Sequence, residues 1–187
     1  MSEQMVFLEI GSSDFDTLLP LCRNGWRGVI VEPIPIYAGY VKEAVDQEGL
    51  QVDVMEMAVT TVDGDVEMYE CLERQDQWTR GVSHMVHQSG FKLLEHPANK
   101  DLRRQKITVH GIRLDTLLDR LNIDHIDFMK VDIEGHETDV FNDYSWRVRP
   151  TVIKMEHKHI DDIAMRQTLE AQGYMVWVEA DDLYAIR

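Results

Sequence analysis

The residues best equipped for chemistry lie in one octet, Lys130-Val131-Asp132-Ile133-Glu134-Gly135-His136-Glu137, where an apolar run passes straight into an acidic turn. Residues 126–131 read as a buried strand, and open α/β sheets bind ligands just beyond the carboxyl ends of such strands. Glu134 and Glu137 also fit a helix start, where acidic side chains meet the positive end of the dipole, and Gly135 eases the turn. That leaves Asp132 without a structural reason. A second string, Glu156-His157-Lys158-His159, follows another apolar strand. Because a histidine titrates near neutrality and can take a hydroxyl proton, His157 is the first candidate for a general base, with Asp132 and Glu134 beside it. The plainer alternative is a set of polar residues at a solvated strand end. Asp132, Glu156 and His157 would also offer oxygen and nitrogen donors to a magnesium-like or transition ion. No tight spacing enforces that set, so a divalent metal is a possibility that the sequence does not favour.

Near the start, Glu9-Ile10-Gly11-Ser12-Ser13-Asp14 sits where a nucleotide-binding α/β domain keeps its glycine-rich turn. The dinucleotide pattern needs glycine again at the positions held by Ser13 and Asp16, so this loop is not built as a phosphate cradle. Asp14 and Asp16 would repel a pyrophosphate and suit a ligand bearing an ammonium or sulfonium group. A generic helix-capping turn is the competing reading. Glu32 ends the second apolar strand, 21 residues after Gly11, a place from which a carboxylate accepts the hydroxyl hydrogens of an adenosine ribose.

These residues need a sheet to hold them. Strands are expected at 5–10, 28–32, 52–59 and 66–71, with a turn at Asp63-Gly64 and helices at 15–23 and 36–47. The pattern weakens over residues 72–104, which are expected to form a lid or acceptor-binding insertion, with a plain surface loop as the competing reading; Trp78, Arg80, Ser83 and the pair His84 and His87 lie there. Beyond it come a short edge strand at 107–112, a helix at 113–122, the octet, a helix at 138–144, a strand at 151–155 and a helix at 160–171. Residues 174–178 and 183–186 close the chain as a hairpin. Alternating strands and helices predict an α/β fold with a mostly parallel sheet, an antiparallel finish and helices on both faces.

With 187 residues the chain suits one domain, 1–187, and its net charge of −15 argues against a nucleic-acid or anionic membrane surface. No apolar run approaches a membrane span and no basic-plus-apolar leader opens the sequence, so a cytoplasmic protein is expected. Cys22 and Cys71 stand far apart and indicate neither a disulfide framework nor a zinc knuckle. Oligomeric state is not legible.

Several of these pieces together resemble the FkbM-type family of S-adenosylmethionine-dependent methyltransferases. The likeness rests on the stretch from Phe7 to Thr17, on Val31-Glu32-Pro33, on Ala58-Val59 before Asp63-Gly64, on Arg113-Leu114-Asp115 and above all on the Lys130–Glu137 string. It implies a class I, Rossmann-like methyltransferase fold with a seven-stranded sheet. It further implies that Glu9, Gly11, Ser12 and Asp14 meet the methionine part of the cofactor and Glu32 the ribose. Pro33, Ala58 and Val59 would line the adenine, and Asp132 would face the sulfonium. The expected reaction is in-line methyl transfer to a hydroxyl of a small molecule or sugar, with no nucleic acid or membrane partner. A nicotinamide-dependent oxidoreductase shares Glu32 but lacks its glycines here, and a non-catalytic adenosine-binding domain would keep the loops without an acceptor pocket.

Overall fold

A computed structural model of the chain describes residues 4–14, 17–72, 83–85 and 103–187. Five strands run parallel at the centre: β1 (Val6–Ile10), β2 (Arg27–Val31), β3 (Val52–Met55), β8 (Phe128–Val131) and β9 (Val152–Glu156). With the C-terminal hairpin β10 (Met175–Glu179) and β11 (Asp182–Ile186) they form a seven-stranded sheet in the order β10-β11-β9-β8-β1-β2-β3. β11 is antiparallel to both of its neighbours. Every residue of β1 is buried, as expected for a strand flanked by β2 and β8 and covered on both faces.

Strand alternation divides the core. Phe7 and Ile30 pack with Leu19 and Cys22 of α1 (Leu19–Arg23) and with Val41 and Val45 of α2 (Pro35–Glu48). Leu8, Ile10, Val29 and Val31 pack on the other face. There they meet α3 (Leu114–Arg120), α4 (Glu137–Asp143) and α5 (Asp162–Ala171) through Leu117, Phe141 and Leu169. Helices therefore cover both faces, and a fully buried leucine such as Leu117 contributes about 2 kcal/mol.

The expected third strand is two. Residues 52–59 break at Glu56-Met57 into β3 and β4 (Ala58–Thr60), and β4 leaves the main sheet. It joins β5 (Gly64–Cys71), β6 (His84–Met85) and β7 (Arg104–Arg113) in a second sheet, ordered β4-β7-β5-β6. The expected edge strand at 107–112 is part of ten-residue β7, paired on both sides by β4 and β5. Only long-range pairing sets these partners, and local pattern does not carry it. Most of the expected insertion at 72–104, with Trp78, Arg80 and His87, lies outside the described residues. Among the described residues no helix is long and apolar enough to cross a membrane.

Candidate active site

Register creates the site. Ile10 pairs with Val31 on one side and Val131 on the other, and Val131 pairs with Met155. The residues that follow, Glu32, Gly11, Asp132 and Glu156, therefore stand in one row along the carboxyl edge of β2, β1, β8 and β9. At about 4.8 Å per strand the row spans about 14 Å. A cavity of about 380 Å³ opens over it, in the size range of small-molecule sites.

At the β2 end the carboxylate is held by backbone. Ser12 and Ser13 amides donate to Glu32 Oε2 at 3.2 and 2.7 Å, and the Ile34 amide donates to Oε1 at 2.8 Å. Burial pushes the Glu32 carboxyl up to about 7 against those three hydrogen bonds, with Glu9 adding a smaller upward push. A carboxylate accepts about four hydrogen bonds, so roughly one position on Oε1 remains for a ligand hydroxyl. The loop that supplies the amides depends on Gly11. It has φ +76°, and a Cβ there would stand 1.8 Å from the Asp132 carbonyl oxygen. Pro33, Ala58, Val59, Ile34, Tyr37 and Met57 make the wall beside Glu32 apolar.

At the β8–β9 end the acids are crowded. Burial first, and Glu156 second, raises the Asp132 carboxyl to about 6. The Asp132 side chain makes no hydrogen bond or ion pair among the described residues. Glu134 sits in the turn at φ +56° and is raised well above the carboxylate range, by burial and then by Asp132 and Glu156. His159 brings Nε2 to 3.5 Å from Glu134 Oε2 and 3.9 Å from Glu156 Oε2, and burial lowers its imidazole. Glu137 turns back instead: its Oε1 accepts from the Ile133 amide at 2.8 Å and ties the loop to the start of α4. Glu137 fits the expected helix start, and Glu134, which faces the cavity before the helix begins, does not.

Of the residues named from sequence, Gly11, Ser12, Glu32, Pro33, Ala58, Val59, Asp132 and Glu134 line the cavity. Three do not. Glu9 is wholly buried below the loop, where it accepts from the Leu18 amide at 2.8 Å and from Lys130 Nζ at 3.1 Å. Its role is to tie the loop to β8. Asp14 lies to the side, its Oδ1 3.5 Å from Ser13 Oγ. His157 points to the hairpin turn, its Nε2 3.4 Å from the Ala180 carbonyl, while its own carbonyl accepts from Ile160 and turns the chain. That turn delivers His159 to the cavity, which His136 also lines, whereas His157 lies outside it. Of the expected insertion, Ser83 and Met85 line the cavity, and His84 is buried against Tyr69 with ring centroids 5.5 Å apart.

Residues 6–176 match the family described as the methyltransferase FkbM domain. No curated protein sequence gives a significant match. Among solved structures, precorrin-6y C5,15-methyltransferase from Geobacter metallireducens superposes with a TM-score of 0.53 at 12% identity, over 100% of this chain and 80% of its own. The N-terminal domain of human METTL16, solved with SAH, gives 0.52 at 16% identity, over 99% of this chain and 61% of its own. The Thermus thermophilus 16S rRNA N2 G1207 methyltransferase RsmC, solved with AdoMet and guanosine, gives 0.51 at 12% identity, over 97% and 37%. Identities this low establish the shared class I methyltransferase fold and leave the acceptor open. The family match covers nearly the whole chain, so the protein belongs to the FkbM methyltransferase family and uses S-adenosylmethionine as its cofactor.

Proposed function

We propose that this protein transfers the methyl group of S-adenosylmethionine to a hydroxyl oxygen of a small molecule or sugar. The observation that carries the reading is the four-residue row, with a backbone-held Glu32 at one end and crowded acids at the other. The residues fit the cofactor. The open position on Glu32 suits a ribose hydroxyl, the apolar wall of Pro33, Ala58 and Val59 suits a flat base, and Asp132 suits the neighbourhood of a sulfonium. The nicotinamide alternative fares worse, because the Ser12 and Ser13 amides that would cradle a pyrophosphate already serve Glu32.

Bound cofactor supplies an electrophilic methyl on a positively charged sulfur. The chain then aligns the acceptor for in-line displacement, a task of positioning more than of covalent chemistry. Asp132, within the row and with no hydrogen bond or ion pair among the described residues, receives the hydroxyl proton, and Glu134, Glu156 and His159 hold the acceptor. A net charge of −15 opposes a phosphodiester acceptor and favours an uncharged or cationic one. Incubation with methyl-labelled S-adenosylmethionine and matched hydroxyl and amine panels tests the reading. Label in an ether product is expected, and label confined to amines or carbon would overturn the hydroxyl assignment.

A further inference from the structure

The β8–β9 end of the cavity gathers three acidic side chains and a histidine, Asp132, Glu134, Glu156 and His159. Glu134, Glu156 and His159 each turn one donor atom toward a common point, all within 4.8 Å of one another. They come from two neighbouring strand ends. Glu134 is set by the left-handed turn after β8, and Glu156 and His159 by the end of β9 and the turn that follows. Asp132 faces the same space with no hydrogen bond or ion pair among the described residues. Lys158 answers part of this charge: its Nζ lies 3.7 Å from Glu156 Oε1, but its shorter contact, 2.8 Å, is to Asp181 outside the cavity.

We infer that Glu134, Glu156 and His159 form a binding site for one divalent transition ion, with Asp132 at its open side, where the ion would grip the acceptor. Two carboxylates and an imidazole are a mixed oxygen and nitrogen set, suited to manganese-like or zinc-like ions more than to calcium or magnesium. Ligands about 2.0–2.2 Å from such an ion stand at most about 4.4 Å apart, so small rotations of two flexible glutamates close the set. Three protein ligands leave positions open, and those positions favour an acceptor with two adjacent oxygens, such as a vicinal diol, a catechol or a hydroxy acid. The inference rests on the reading of this cavity as a methyltransferase site and narrows its acceptor class.

The test is a Mn2+ titration of the full chain, stripped of metal, followed by loss of the free-ion paramagnetic resonance signal, with and without S-adenosylhomocysteine. One ion per chain is expected, with affinity at least tenfold weaker in both Glu156→Gln and His159→Ala. S-adenosylhomocysteine binding in each variant, read by calorimetry, reports that the variant is folded. Absence of a saturable site, or binding unchanged in His159→Ala, overturns the inference and leaves the methyltransferase reading standing. Stoichiometric Mn2+ binding by a chain that does not bind S-adenosylhomocysteine supports the ion site and overturns the cofactor assignment instead.

Discussion

The two ends of the cavity solve the burial of carboxylates in opposite ways. At the β2 end, Glu32 is met by three backbone amides from its own loop and the facing one, which oppose the upward push of burial. At the β8–β9 end, burial raises the Asp132 and Glu134 carboxyls, Glu156 raises both further and Asp132 adds to Glu134, and the Asp132 side chain makes no hydrogen bond or ion pair among the described residues. A buried charge left to its neighbours costs free energy, and such unbalanced groups cluster where a ligand restores the balance. In the proposed reading the contrast divides the labour: the β2 end binds the cofactor and the β8–β9 end acts on the acceptor.

The most damaging way to break the contrast is Gly11→Ala, because the loop that serves Glu32 also leans on the Asp132 carbonyl. A Cβ 1.8 Å from that oxygen at φ +76° forces both ends apart. The expected result is loss of measurable S-adenosylhomocysteine binding and a stability loss of about 2–4 kcal/mol in a denaturant titration. Asp132→Asn should separate the ends cleanly. Turnover falls by about 10²–10³-fold, as for loss of a general base, while S-adenosylhomocysteine affinity stays within about threefold. Comparable losses in both quantities would remove Asp132 from the acceptor side.

Proton linkage gives a smaller and more specific effect. In the proposed reading ribose hydroxyls donate to the ionised Glu32, whose carboxyl is raised to about 7, so binding should strengthen as pH rises through that value and be flat above it. Between pH 6 and 8 the S-adenosylhomocysteine affinity should rise by about tenfold, since one unit below the pKa leaves about a tenth of the group ionised. Glu32→Ala should abolish that slope. At the far end, Glu134→Gln removes one of several crowded buried charges and should raise the melting temperature of the ligand-free protein, the equivalent of about 1 kcal/mol. His157→Ala, outside the cavity, should change turnover by less than about twofold.

Much of the β2 end was legible in the chain. Val31-Glu32-Pro33 and Ile10-Gly11 announce strand ends, and strand ends in a parallel sheet are where ligands bind. Asp132 was legible for the same reason, as the first polar residue after a buried strand. Glu9, which the family likeness assigns to the cofactor, lies buried below the loop and does not line the cavity. Its register partner on β8 is Lys130, and two opposite charges inside neighbouring buried strands signal a pair that serves the fold. Breaking such a pair from one side costs about 3–5 kcal/mol, so Lys130→Met should destabilise the protein strongly. The choice between His157 and His159 depended on a tight turn at residues 157–160, whose hydrogen bond no side-chain pattern encodes. The second sheet stayed hidden because β4 pairs with residues 111–113, far away in sequence.

The division of labour is tested most directly by one set of S-adenosylhomocysteine titrations at pH 8 on the wild type, Glu32→Ala and Asp132→Asn, each paired with turnover on a hydroxyl acceptor. Glu32→Ala should bind at least tenfold more weakly, while Asp132→Asn binds normally and fails to turn over. Equal affinity in all three proteins, or equal loss in both variants, would contradict a cavity with a binding end and a reacting end.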